Sequence, residues 1–203
     1  MERNGVKGWD TTDTTDTTGS TSSTNAGIFF QGNGTYTSTV EKGAEVTIKD
    51  NAGCGIYTKQ SVCNLTLLSG VITNNGTGKV NTSGDGANYG GGVYNIGTMV
   101  LGSDVVLYNN HAGTAGDDIY NTGTISFGPV GDDWCLDGDP DCYDPIDGWY
   151  DDAENNRWEA HAEDESERHI VLVSPPVGYA AKGLLALKAA HGYIEPAPIV
   201  PEW

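Results

Sequence analysis

Long apolar runs are missing from this chain of 203 residues. No stretch approaches the roughly 18 consecutive apolar residues that a membrane-spanning helix requires, so no membrane insertion is predicted. The first residues, MERNGVKGWD, also lack the hydrophobic stretch of a secretory signal peptide. We expect that any export signal has been removed and that the sequence is part of a longer protein.

Basic residues are scarce as well. Ten Lys and Arg stand against 28 Asp and Glu, which gives a formal net charge of −18. Such a chain repels phosphate backbones and anionic membrane surfaces, so nucleic-acid binding is excluded as a predicted function. Fifteen of the carboxylates fall in residues 131–168, and this one segment supplies most of the charge.

Familiar catalytic motifs are also absent from the sequence. It contains no Gly-x-Ser-x-Gly, no His-rich zinc pattern and no phosphate-binding loop, so no organic cofactor is predicted. The four cysteines, which show no CxxC spacing, form two local pairs: Cys54 with Cys63, and Cys135 with Cys142. Local pairs in even number predict two disulfides and an oxidising compartment; the alternative is four buried thiols in a cytosolic protein.

The chain is rich in glycine, with 29 residues of this type. Short runs of Thr, Val, Ile and Tyr lie between Gly and Asn, a pattern typical of many short strands. These runs repeat. The segment Gly-Val-Tyr-Asn at 92–95 is echoed by related segments at 27–30, 55–58 and 118–121, with spacings of 28, 37 and 26 residues. Such a period predicts an all-β solenoid, because one repeat buries its apolar face only against the next. The alternative is a β-sandwich with ordinary turns.

Stacking of the repeats predicts that equivalent side chains lie above one another. Tyr57, Tyr94 and Tyr120 are expected to form an aromatic ladder. Asn51, Asn75 and Asn110 are expected to form an amide ladder in a turn, where Asn tolerates left-handed backbone. Residues 76–90 are predicted to be a loop that leaves the stack at one corner.

The segments GGGVYN, VLYNN and VITNN resemble the GGA and FxxN-type repeats of bacterial surface β-helix proteins, including polymorphic outer-membrane adhesins and surface repeat proteins of gut bacteria. The resemblance covers about residues 27–128. It implies a right-handed parallel β-helix on the cell surface, without implying a ligand. With it, the predicted organisation is a Thr/Ser-rich stalk at 1–26, the β-helix at 27–130, an acidic disulfide-stapled cap at 131–194 and a linker at 195–203. Within the cap, the sequence does not decide between helix and strand for 183–192.

The acidic segment offers a candidate calcium site. Its alternating carboxylates resemble the calcium loops of thrombospondin type-3 repeats, although Cys142 replaces the turn glycine. The candidate ligands are Asp137, Asp139, Asp141, Asp144 and Asp147. The alternative is a solvated acidic loop closed by the second cysteine pair.

Two further groups are candidate sites. Aromatic rings beside polar groups can stack on sugars, which makes glycan-binding candidates of Trp149, Tyr150, Arg157 and Trp158. Alternatively, the tryptophans cap the open end of the core. The paired acids Asp117 and Asp118 are the catalytic candidates if the chain is a polysaccharide lyase or a glycoside hydrolase.

The sequence therefore predicts a non-catalytic module of a larger adhesin-like protein, secreted or on a bacterial surface. It would bind a host glycan or protein through loops on a rigid scaffold. A carbohydrate-active enzyme and a passive spacer are the alternatives.

Overall fold

A computed structural model describes residues 26–30, 36–59, 61–78, 88–127, 146, 148–155, 157, 171–173 and 179–190. In these residues the fold is all-β, as predicted, and no helix there is long and apolar enough to cross a membrane. The strands are β1 (Ile28–Phe30), β2 (Tyr36–Val40), β3 (Thr47–Lys49), β4 (Ile56–Thr58), β5 (Cys63–Thr73), β6 (Val93–Asn95), β7 (Thr98–Tyr108), β8 (Ile119–Asn121), β9 (Thr124–Phe127), β10 (Gly148–Asp151), β11 (Val171–Val173), β12 (Tyr179–Lys182) and β13 (Leu185–Ala190).

The strands form two mixed sheets that are rich in parallel pairs. The short-strand sheet has the order β1-β4-β6-β8-β13-β10-β11, and the long-strand sheet has the order β12-β9-β7-β5-β2, with β3 also pairing with β5. All pairs among β1 to β9 are parallel. The C-terminal strands join antiparallel: β13 on β8 and β12 on β9. The segment 183–192, which the sequence left undecided between helix and strand, contains the strand β13 in its described part.

The pairing confirms the repeat alignment read from the sequence. Tyr57 pairs with Phe29 on one side and with Tyr94 on the other, and Tyr94 pairs in turn with Tyr120. Each of these central residues lies between two inward-facing neighbours, because side chains alternate along a strand. The rings of Tyr57 and Tyr94 stack with centroids 4.8 Å apart, and Tyr120 meets Tyr94 edge-on at 5.2 Å. The predicted aromatic ladder is therefore confirmed.

The core contains the inward-facing residues of both sheets. Buried residues of successive repeats pair in register across the long-strand sheet, as Leu65 does with Met99 and Met99 with Ile125. Trp149 of β10 closes this core against Phe127, with ring centroids 5.4 Å apart. The C-terminal strands thus cover the last parallel repeat.

The predicted amide ladder is also confirmed, with one difference. The side-chain N–H of Asn51 donates to Asn75 Oδ1 at 2.7 Å, and that of Asn75 donates to Asn110 Oδ1 at 2.9 Å. The left-handed backbone, however, belongs to the residue before each ladder asparagine. Those residues are Asp50, Asn74 and Asn109, with φ of 59°, 54° and 52°. Asn75 and Asn110 are fully buried, and the side-chain amides of all three ladder asparagines also donate to backbone carbonyls.

A second polar ladder at the opposite end of the short strands was not predicted. Thr58 Oγ1 donates to Asn95 Oδ1 at 2.8 Å, and Asn95 Nδ2 donates to Asn121 Oδ1 at 2.6 Å. All three residues are buried. Because an unsatisfied buried amide costs about 1–3 kcal/mol, each ladder favours the native register over a shifted one.

The predicted disulfide between Cys54 and Cys63 is wrong. Both residues are free, buried thiols. Cys63 shares a face of β5 with the core residue Leu65, whereas Cys54 packs separately with Ala26 beside the rings of the aromatic ladder. The two thiols therefore have different packing neighbours, and Cys63 is not part of the cluster that holds Cys54. The second predicted pair, Cys135 and Cys142, lies outside the described residues.

Burial should protect these thiols from alkylation. Desolvation raises the pKa of Cys54 to about 12, so the reactive thiolate is rare at neutral pH. We expect iodoacetamide to modify Cys54 and Cys63 only after the protein has been unfolded. No reducing agent should be needed, because the two thiols are not joined in a disulfide. Peptide mapping by mass spectrometry checks this, and a peptide pair joined by a disulfide between the two residues would contradict it.

Candidate functional site

The catalytic candidates Asp117 and Asp118 lie directly before β8, at the edge of the last parallel repeat. At this edge, backbone hydrogen bonds connect the segment before β8 to the C-terminal part of the sheet. The N–H of Asp118 donates to Leu187 O of β13 at 3.1 Å, and the N–H of Gly116 donates to Asp152 O at 2.9 Å. The two acids therefore mark the junction at which parallel pairing changes to antiparallel pairing.

Asp118 ends the amide ladder. One carboxylate oxygen accepts from Asn110 Nδ2 at 2.8 Å, and the other accepts from the backbone N–H of Ala189 at 2.8 Å. Burial raises the pKa of Asp118, against the opposing effects of Lys188 and of these two hydrogen bonds. The carboxylate connects the repeats to β13.

Asp117 binds two cationic side chains. One of its oxygens accepts from the backbone N–H of Ala112 at 2.8 Å and from the guanidinium of Arg157. The other accepts from Lys188 Nζ at 3.3 Å. Arg157, a predicted glycan ligand, is therefore held in an ion pair, and its side chain is only 14% exposed.

Asp152 completes the group. Its Oδ2 accepts from the backbone N–H of Asp117 at 2.6 Å, and its Oδ1 accepts from Arg157 Nε at 3.2 Å. We call the whole set the charged junction. Its members are Asp117, Asp118, Asp152, Arg157 and Lys188.

The charged junction has three carboxylates and two cations, so a proton would make it neutral. Burial first, and then the neighbouring Asp117, raises the pKa of Asp152 to about 7. Burial lowers the pKa of Lys188, but the carboxylates Asp118 and Asp117 outweigh this effect and leave it raised. Within the part of the chain that the structure describes, no three His, Cys, Asp or Glu side chains are arranged to hold a metal ion. Chemically, this group can hold a proton near neutral pH.

The other predicted ligands are dispersed. Trp149 is fully buried in the core, as its alternative role as a cap would place it. Tyr150 is partly exposed on the same strand, and Trp158 lies outside the described residues. The calcium candidates Asp137, Asp139, Asp141, Asp144 and Asp147 also lie outside them.

Sequence reasoning did not place Lys188 in the site. Lys188 is 71 residues from Asp117 and lies in the segment whose secondary structure was undecided. If that segment is a strand, Leu185 and Leu187 lie on one of its faces and Lys188 lies on the other. This alternation does not show that the strand pairs with β8.

The charged junction should make stability depend on pH. The pKa of Asp152 is about 7 in the folded chain, whereas an aspartate in an unfolded chain has a pKa near 4. The folded state therefore holds a proton that the unfolded state releases. The resulting stabilisation is fully present below about pH 4 and is lost as the pH rises through about 7. We expect a higher melting temperature at about pH 5 than at about pH 8, measured by circular dichroism.

The matched variants are Asp152→Asn and Glu154→Gln. The first removes one titrating group and should reduce the dependence on pH, leaving the part due to Asp118, whose pKa is also raised. It also lowers stability, because both oxygens of Asp152 accept hydrogen bonds. The second removes an exposed carboxylate two residues away and should leave the dependence unchanged. Equal pH dependence in Asp152→Asn and in the unaltered chain would contradict the assignment.

Comparisons of the chain with protein-family models, with curated proteins and with solved structures find no match. Any assignment of function therefore depends on the residues and the geometry described above.

Proposed function

We propose that the chain is a right-handed parallel β-helix module of a larger secreted or surface-attached protein. Its role is to bind a host glycan or protein through loops carried on a rigid scaffold. The observation that carries this proposal is the in-register parallel pairing of successive repeats in two sheets. Parallel strands joined by crossovers are right-handed in almost all known cases, which supports the handedness.

The loop predicted at 76–90 is the strongest candidate for contact. At its start, the N–H of Gly76 donates to Asn51 O at 2.8 Å. At its end, Tyr89 bridges to Ala115 and packs its ring on Tyr120, with centroids 4.6 Å apart. Both ends are thus anchored to the repeats, and residues 79–87 connect them. Binding residues often occupy such loops, because the scaffold fixes their position.

The test compares the unaltered chain with a variant in which residues 79–87 are replaced by a short Gly/Ser linker. Both are applied to a glycan array and to mucin-coated and epithelial surfaces. The proposal predicts binding that the variant loses while its melting temperature stays the same. If the unaltered chain bound to none of these surfaces, the proposal would be contradicted and a passive spacer would be favoured.

A carbohydrate-active enzyme is the second candidate, and one observation favours it. Raised pKa values of buried carboxylates, such as those of Asp118 and Asp152, are frequent in catalytic sites. Against it, every carboxylate oxygen of Asp117, Asp118 and Asp152 accepts a hydrogen bond from a protein donor. Incubation with uronic-acid polymers and mucin glycans distinguishes an enzyme from a non-catalytic binding module. Release of reducing ends or unsaturated products that is abolished in Asp118→Asn would establish the enzyme.

A further inference from the structure

A groove lies on the outer face of the long-strand sheet, and none of its lining residues belongs to the charged junction. Its floor includes Thr47, Val71 and Val106, which pair in register on β3, β5 and β7 and are partly exposed. The cavity has a volume of about 440 Å³. That volume lies within the range of small-ligand sites, about 300–1,000 Å³.

Residues 41–46 form the wall of the groove, and contacts within the protein hold them in place. Both β2 and β3 pair with β5, so residues 41–46 leave the sheet between them, beside an irregularity in β5 at Leu67/Ser69. Ser69 Oγ lies 2.8 Å from Glu41 O and 3.0 Å from Ala44 O. This side chain holds the wall in place, so little ordering is needed when a ligand binds.

Glycine keeps the floor open at Gly70. Its φ of 129° is one that side chains with a Cβ rarely adopt, and an added Cβ would lie 3.1 Å from Val46 O. The N–H of the next residue, Val71, donates to the same carbonyl at 2.8 Å. The groove is therefore built from backbone as well as from valine side chains.

The rim of the groove is acidic. Glu45 and Asp104 both line the cavity and both are exposed. Lys42 Nζ lies 3.7 Å from Asp104 Oδ2, with the two side chains 61% and 42% exposed, so this ion pair is weak. Among the described residues, Glu45, Asp104 and Lys42 together give the rim a net negative charge. We call the whole site the acidic groove.

We propose that the acidic groove binds the side chain of an exposed lysine on a partner protein. The four methylenes of a lysine would cover Val71 and Val106, and its ammonium would meet the carboxylates of Glu45 and Asp104. A lysine stem favours contact with apolar surface while its charged end stays at the rim. The site is separate from the loop-mediated contact proposed above and does not depend on it.

The test follows backbone amide chemical shifts by NMR during titration with acetyl-Gly-Lys-Gly-amide. Saturable shifts are expected in residues 43–47, 69–71 and 104–106. The same peptide with norleucine in place of lysine, which keeps the stem and removes the charge, should bind at least about tenfold more weakly. Equal affinity for the two peptides, or shifts elsewhere only, would overturn the proposal.

Three variants and one further ligand complete the test. Glu45→Gln and Asp104→Asn should each weaken binding roughly threefold, because exposed charge pairs contribute less than about 1 kcal/mol. Glu154→Gln, which removes a carboxylate outside the groove, should leave it unchanged. Tighter binding of 1,5-diaminopentane than of the lysine peptide would identify a free amine as the ligand and overturn the choice of a protein lysine.

Discussion

Replacing Gly92 with alanine is expected to destabilise the fold by about 3 kcal/mol. Gly92 lies at the corner before β6 and joins the repeats on both sides. Its N–H donates to Asp117 O at 2.8 Å, and its carbonyl accepts from the N–H of Ile56 at 2.9 Å. An alanine Cβ would lie 2.6 Å from Asp118 O, so the backbone of one repeat must shift away from the other. Urea unfolding followed by tryptophan fluorescence measures the loss.

The matched control is Gly43→Ala. Gly43 has a φ of 78°, but an added Cβ meets nothing within 4 Å. The control therefore carries only the cost of a left-handed backbone, about 1 kcal/mol. If Gly92→Ala were no more destabilising than Gly43→Ala, close stacking of the repeats at this corner would be contradicted.

Replacing Arg157 with alanine should cost about 3 kcal/mol, because it removes one of the two cations that balance the buried carboxylates of the charged junction. Arg157 contacts both Asp117 and Asp152, and its Nη1 donates to Ala112 O at 2.9 Å. The loss should be greater at about pH 8 than at about pH 5, since protonation of Asp152 removes one of the opposed charges. Thermal melts at both pH values check this.

Arg157→Lys is the control for charge alone. Lysine keeps the positive charge but lacks the planar fork that bonds to two carboxylates and a carbonyl, so an intermediate loss is expected. Arg157 was also a predicted ligand for glycans. If Arg157→Ala left stability unchanged and only reduced binding to a glycan, the structural role would be wrong and the ligand role would stand.

The parallel part of the fold was predictable from the sequence for a physical reason. When identical strands pair in register, equivalent residues meet the same environment, so a residue such as Tyr94 recurs as Tyr57 and Tyr120. The longer spacing between the second and third repeats leaves that register intact, since β4 and β6 still pair residue for residue. The amide ladder followed from the same repetition.

The remaining features depend on contacts that do not repeat. The strand β13 pairs with β8 across more than 60 residues, and no periodic signal links the two. Cys54 and Cys63 are close in sequence, but the strand β4 lies between them and the two thiols are free. Lys188 joined the site only through that antiparallel pairing, and the acidic groove required the irregularity in β5.

Backbone nuclear Overhauser contacts between β4 and β6 test the stacking of the repeats most directly. Parallel pairing predicts that protons of Ile56, Tyr57 and Thr58 lie near those of Val93, Tyr94 and Asn95, in that same order. A reversed order, with Ile56 near Asn95 and Thr58 near Val93, would contradict the parallel stack and favour a β-sandwich.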